Sequence, residues 1–308
     1  MPRKPVTNPA EYELKHMELD DMLRRYQVSP RGRDAFTPET KRWLSRRHSK
    51  SLKAINPVAR IAFMRALHNR LEEAFQGEDA ETAHFITIIP GRFSHPLQSA
   101  DQFSTAKAKA WLRSVWGIGD YIGFWEAAYF YRSPFAESGN EPYVCWHVHM
   151  VAWNVDANQL AAAKRKANRA VDPFLPGVKP FDSVDYCLED ALGRAVYMSK
   201  GALSEYAAVP KKRQVTDTET GEIREVRTGR WRSRKRAIRP GNLVRATNAI
   251  GSRTLASLCV AGGQGVAIRR AAISEAAAEL KRRNRLLEAE ILRLTAPSTL
   301  RSKKETTS

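Results

Sequence analysis

Cysteine is scarce, long apolar runs are missing, and acidic residues are outnumbered. The 308-residue chain holds three cysteines, Cys145, Cys187 and Cys259. They are far apart and odd in number, which excludes a zinc-type cluster, a redox pair and a disulfide framework. A reducing cytoplasm suits such a set. No stretch approaches the ~18 consecutive apolar residues of a membrane-spanning helix. Met1-Pro2-Arg3-Lys4-Pro5 is followed by no apolar segment, so a secretory leader is not expected. The phosphate loop G-x-x-x-x-G-K-[ST] is missing too, and with it any recognisable nucleotide-driven motor.

What is abundant is positive charge. Against 51 Lys and Arg stand 33 Asp and Glu, a formal net charge of +18. That excess marks a polyanionic partner. With no membrane segment, nucleic acid is favoured over an anionic membrane surface.

Residues 1–80 read as helical and basic. Asn8-Pro9, Thr37-Pro38 and Asn56-Pro57 each put a capping side chain before a proline at the first helical position. The third helix carries Ile61, Met64, Leu67 and Leu71 at helical spacing and stops near Gly77. Arg42, Arg46, Arg47, Lys50 and Lys53 form either a solvated face or a phosphate contact.

The pattern changes at His84–Pro90, a β-branched and aromatic run that predicts a strand. A helix is expected over 103–116, a strand over Tyr121–Phe130, a turn-rich connection, and a buried strand over Tyr143–Trp153, the antiparallel partner of its predecessor. Helices follow over 157–170 and 184–206. This order implies an α+β fold with helices packed on a mostly antiparallel central sheet. The catalytic unit would span 81–209.

Residues 210–265 are a second basic region. Val215–Asp217 and Ile223–Val226 flank Glu219-Thr220-Gly221 as a small hairpin. Arg230, Trp231, Arg232, Arg234, Lys235 and Arg236 follow as the candidate DNA-binding residues, since dense arginine beside an aromatic suits single-strand gripping. Over 266–296 an amphipathic helix repeats Ile273, Leu280, Leu287 and Leu294 every seven residues, with Ala277, Asn284 and Ile291 between. A seam with a second copy of the chain and a helix docked on its own domain fit this pattern equally well. A disordered tail is expected over 297–308.

The chemistry concentrates around His147-Val148-His149. Residues two apart on a strand share a face, so both imidazoles project together and suit one metal ion. Glu126, on the preceding strand, can reach the same face. Glu137 and Glu141 compete for the third ligand position from the less rigid loop. Two imidazoles and a carboxylate leave open positions on a divalent ion, Mg²⁺ or Mn²⁺. Tyr197 and Lys200 pair a phenol with a cation that favours its phenolate.

These segments resemble a known family. Phe85-Ile86-Thr87-Ile88 looks like its first motif, Tyr121–Glu126 with Trp146–Val151 its second, and Tyr197-Met198-Ser199-Lys200 its third. The chain is similar over 83–206 to HUH endonucleases, and most to plasmid and phage rolling-circle replication initiators with one catalytic tyrosine. The resemblance implies an HUH-type antiparallel sheet with a metal held by His147, His149 and Glu126. It also implies that Tyr197 attacks a phosphate of single-stranded origin DNA, with Lys200 beside it. A 5′-phosphotyrosine link and a priming 3′-hydroxyl would result, with a separate helicase and DNA polymerase as partners. The connection from Glu126 to His147 is longer than the family's usual hairpin, and no second nucleophilic tyrosine stands out. Relaxases usually add a third histidine, not seen here, and single-strand transposases are usually shorter. A non-catalytic basic DNA-binding regulator with a structural histidine pair is the reading outside the family.

Overall fold

The computed structural model describes residues 5–45, 51–78, 81–135, 141–216 and 218–295. Three helices come first: α1 (Pro9–Val28), α2 (Pro38–Ser45) and α3 (Pro57–Gln76). The Asn8 side chain accepts hydrogen bonds from the Ala10 and Glu11 amides, and Asn56 does the same for Val58 and Ala59. The caps thus lie where the Asn-Pro pairs put them. Arg46, Arg47 and Lys50 of the basic cluster lie outside the described residues.

Strand β1 (Thr82–Ile88) and the short β2 (Ser94–Pro96) precede α4 (Thr105–Val115). The long pair β3 (Asp120–Arg132) and β4 (Tyr143–Trp153) follows, then α5 (Ala157–Ala170). Next come β5 (Phe181–Cys187), α6 (Leu188–Met198), β6 (Ser204–Thr216) and β7 (Ile223–Ala237). The chain closes with α7 (Pro240–Ile250), α8 (Leu255–Leu258), β8 (Cys259–Gly262) and α9 (Gly265–Thr295).

The sheet runs β5-β1-β4-β3-β6-β7, with β2 added to β4 and β8 to β3. Neighbours are antiparallel except β3 and β6, which are parallel. The result is a mixed α/β architecture. Period-2 alternation decides which layer each side chain enters. Phe124 and Trp153 face α3, meeting Phe63 at 5.9 Å and Phe75 at 5.4 Å between ring centres. Trp125 and Trp146 face the opposite way, toward Trp111 of α4 and a stacked Phe103 at 4.1 Å. Helices α1, α3 and α6 therefore cover one face, and α4 lies on the other. Among the described residues no helix is long and apolar enough to cross a membrane.

The helix expected over 184–206 is not one element. Residues 181–187 form β5, because Val184 and Tyr186 pair with Phe85 and Ala83 at the edge of the sheet. The helix occupies only Leu188–Met198, and Ser204 begins β6. Local periodicity around Leu188–Ala195 is helical, but the free edge of β1 recruits the residues before it. Beyond Met198 the carbonyls are taken by side chains from α1 and α3, which stops the helix. The small hairpin expected near 215–226 is the tip of a much longer one, since β6 and β7 pair from Ser204↔Ala237 to Thr216↔Ile223. The limit drawn at 209/210 falls inside β6.

Helix α9 docks on its own chain over its first half. Ile268, Ala272, Ala276 and Leu280 are buried against α3. Leu287 and Ile291 are exposed, and the side chain of Leu294 lies outside the described residues. The heptad is thus split, with Leu280 inside and Leu287 in solvent. Leu280→Ala is expected to cost about 2–5 kcal/mol in urea denaturation, whereas Leu287→Ala stays within about 0.5 kcal/mol.

Candidate metal centre and nucleophile

The register of β3 and β4 sets Glu126 directly opposite His147, and β1 sets Thr87 opposite His149. Long strands thus span the extended connection and deliver the carboxylate to the histidine face. Glu126, His147 and His149 are all buried and form the one group of this kind among the described residues that could hold a metal ion. The two Nε2 atoms lie 3.0 Å apart, and Glu126 Oε2 is 3.6 Å from His147 Nε2 and 3.3 Å from His149 Nε2. A point about 2 Å from all three atoms exists, which is the bond length of a divalent ion to nitrogen and oxygen. Glu141 is not part of this group, and Glu137 lies outside the described residues.

Each imidazole is aimed by its other nitrogen. His149 Nδ1 lies 2.9 Å from Thr87 Oγ1, and His147 Nδ1 is 3.3 Å from the Cys145 carbonyl oxygen. An Nδ1–H donated outward leaves the Nε2 lone pair facing the centre. Burial disfavours imidazolium, so the affinity of His147 for protons is lowered and His149 is pushed down to about 3. Both lone pairs are free near neutrality. Burial would raise Glu126, but the Lys200 ammonium beside it outweighs burial, and the carboxylate stays ionised.

Lys200 makes an ion pair with Glu126 Oε2, the same oxygen that faces the imidazoles. Its burial favours the neutral amine, yet Glu126 and Tyr197 together hold it charged. The ammonium also sits 3.8 Å from the centre of the Tyr197 ring. That ring meets His149 at 5.6 Å and Phe85 at 6.1 Å. Tyr197 is in the last turn of α6, and Lys200 lies just past its cap rather than on the helix itself. The pair opens onto a cleft of about 430 Å³ walled by Lys15 and Met22 of α1 and Lys235 of β7.

The turn at 199–201 is held from far away. Tyr12 Oη donates to the Ser199 carbonyl at 2.9 Å. The buried Arg60 guanidinium donates to the Ser199 and Lys200 carbonyls at 2.8 and 3.1 Å and to Ala54 at 2.6 Å. The Gly201 amide donates to His16 Nε2 at 2.9 Å, and His16 Nδ1 lies 2.7 Å from the Tyr12 carbonyl oxygen. A cation at a helix C-terminus opposes its partial negative charge. Sequence reading missed these three residues. The Asn-Pro caps announce α1 and α3 but say nothing of where they dock. Tyr206 of β6 stacks on Phe130 at 5.2 Å, and burial, then Glu126 and Tyr197, raise its phenol well above the ordinary value.

The six basic-stretch residues separate along β7. Arg230, Arg232 and Arg234 are exposed, whereas Lys235 is turned to Tyr197, 5.8 Å from its ring centre. Arg236 pairs with the buried Glu205 and covers the Tyr131 ring at 4.0 Å. Trp231 is half-buried beside a cluster that includes Phe130, Phe174 and Tyr206. No family model, curated protein or solved structure matches the chain.

Two outcomes follow from this geometry. Arg60→Met is expected to cost about 2 kcal/mol in denaturant, since it strips charged donors from three buried carbonyls. Arg65→Met, which breaks a half-exposed pair with Glu13, costs less than about 1 kcal/mol. The pH profile follows from the lowered histidines. Below about 6.5 the unfolded chain takes up protons, while folded His16 and His149 do so only near about 3. Stability is therefore full above about 6.5 and falls as pH drops toward about 3, by about 1–2 kcal/mol per histidine at pH ~5 in urea melts.

Proposed function

We propose that the protein nicks and rejoins single-stranded DNA through a 5′-phosphotyrosine, as HUH endonucleases do, and starts rolling-circle replication of a plasmid or phage. One observation carries this reading. A buried Glu-His-His group lies directly beside a tyrosine that carries its own ammonium, at the edge of an open cleft. The excess of positive charge supplies the affinity for a polyanion.

His147, His149 and Glu126 fit Mg²⁺ or Mn²⁺, which when bound supplies Lewis-acid polarisation of the scissile phosphate. The remaining work belongs to the chain. Lys200, held protonated, acts as a fixed charge beside the phenol and balances the negative charge that gathers on the reacting oxygens during attack. The Tyr197 oxygen bonds to phosphorus, the bond to the 3′ oxygen breaks, and that oxygen takes a proton to become a 3′-hydroxyl. The phenolic proton passes to solvent. Lys235 stands across the cleft, where it meets the charge of the strand being cut. The ester energy is kept in the phosphotyrosine, so attack by a 3′-hydroxyl reseals the strand without ATP. Extension of the free 3′ end falls to a separate DNA polymerase behind a separate helicase. Three free cysteines, two of them buried, suit the cytoplasm as the working compartment. Leu287 and Ile291, exposed beyond the docked half of α9, offer the surface for a second copy of the chain.

The decisive measurement is covalent capture. The protein is incubated with Mn²⁺ and labelled single-stranded origin DNA and run on a denaturing gel. A shifted adduct is expected, absent in Tyr197→Phe and reduced about a hundredfold or more in His149→Ala. Cleavage that persists in Tyr197→Phe moves the nucleophile elsewhere. No adduct across a broad panel of sequences makes the chain a non-catalytic DNA-binding regulator.

A further inference from the structure

Past Val209 and Trp231 the β6–β7 hairpin leaves the body. From Lys211 to Thr216 and from Ile223 to Arg230 its side chains are exposed on both faces. At about 3.3 Å per residue, the eight steps from Trp231 to Ile223 reach about 26 Å outward. An uncovered two-stranded ribbon is marginal by itself in water, so a role in the folded core does not account for it.

The charge on the ribbon is concentrated near its root rather than at its tip. Lys211 and Arg213 on β6, and Arg227, Arg230, Arg232 and Arg234 on β7, are exposed. Among the described residues none of these six has a carboxylate partner. Lys212 stands directly across from Arg227 but pairs with Glu225 at 2.7 Å, so on this stretch it is Arg227 and its neighbours toward the root whose charge is left to face solvent. The root is also held in place. The Trp231 amide donates to the Pro176 carbonyl at 3.0 Å, and Gly177, at φ +72°, approaches so closely that a Cβ would stand 2.9 Å from Arg230 Cγ.

Single-strand gripping needs aromatic platforms on which bases stack. Trp231 is the only aromatic residue between Ala207 and Ala237, and its ring is drawn into the cluster with Phe130 and Phe174. The major groove of duplex DNA, in contrast, admits a two-stranded β-ribbon. Phosphates flank such a groove on both sides, which suits a ribbon charged on both strands.

We propose that the β6–β7 ribbon is a duplex-DNA grip, its basic root lying along a groove of double-stranded DNA beside the single strand that enters the Tyr197 cleft. Strand alternation couples the two. Lys235 faces the nucleophile, while Arg232 and Arg234 face away from it on the same strand, so duplex and single strand meet opposite faces of β7. The partner as a duplex flanking a cleavage site rests on the strand-transfer reading above; the ribbon's preference for duplex does not.

Binding of the full-length Tyr197→Phe protein without divalent metal tests this independently of cleavage. Fluorescence anisotropy compares a mixed-sequence duplex of about 20 base pairs, two helical turns, with one of its single strands. Arg227→Ala/Arg232→Ala/Arg234→Ala is expected to weaken duplex binding about tenfold or more. It should leave the single strand within about twofold and reduce the salt slope on duplex by about three. A second variant, with residues 212–227 replaced by Asn-Gly, should show the same selective loss. Thermal melting of both variants checks that the body stays folded. Equal losses on both probes overturn the proposal in favour of a single-strand grip. No loss on either overturns it in favour of charges that merely guard an edge strand. A missing covalent adduct in wild-type protein would sink the nicking reading and leave a selective duplex loss standing.

Discussion

A carboxylate with 6% exposure persists inside the sheet only because charge and lone pairs surround it. Glu126 pairs with the Lys200 ammonium on one side and faces two neutral imidazoles on the other. Removing a charge from water costs several kcal/mol, and a buried pair is tolerated when its geometry satisfies both ions. This fourfold contact ties together β3, β4 and the turn after α6, which no local interaction would join. It also places the ring of Tyr197 beside the buried Lys200 ammonium. If that pairing were lost, the carboxylate would be an uncompensated buried charge and the nucleophile would lose its counter-ion.

The surrounding helices make sense as support for that contact. The end of α6 has carbonyls with no partner in its own helix. Tyr12, Arg60 and His16 take up this stretch from α1 and α3. A lysine just past a helix end is held rigidly only if the turn carrying it is held. The N-terminal region therefore serves the site as a cradle, whatever further contacts its basic surface makes. The aromatic layer on the far side, Trp125, Trp146, Phe103 and Trp111, stiffens β3 and β4 where they carry the ligands.

Much of this was legible beforehand, for reasons that vary by element. The β4 strand was readable because its apolar run contains alternation at the histidines. Glu126 was readable because two neighbouring strands in a hairpin share faces, although the long connection concealed the register. The run 184–206 reads as one helix from its sequence because the apolar spacing around Leu188–Ala195 is helical, and nothing local marks Val184–Cys187 as the partner of β1. The arginine-rich stretch was visible as charge. Its alternation, with arginine at 230, 232, 234 and 236, was equally present in the sequence, yet it carries meaning only once the stretch is known to be a strand.

Side-chain periodicity, caps and charge are local or additive properties, so helices α1, α3 and α5, the β4 strand, the histidine pair and the basic excess could all be inferred from residue order alone. Which distant groups complete the site is a matter of packing. The Lys200 ammonium reaches a carboxylate 74 residues away, and Tyr12 reaches a carbonyl 187 residues away. Such pairs depend on strand register and on which helix covers which face, and each of those is settled by burial across the whole sheet. The split of the basic stretch into one face toward Tyr197 and one toward solvent has the same origin. It exists only because β6 supplies a parallel neighbour to β3 and β7 pairs beyond it at the edge.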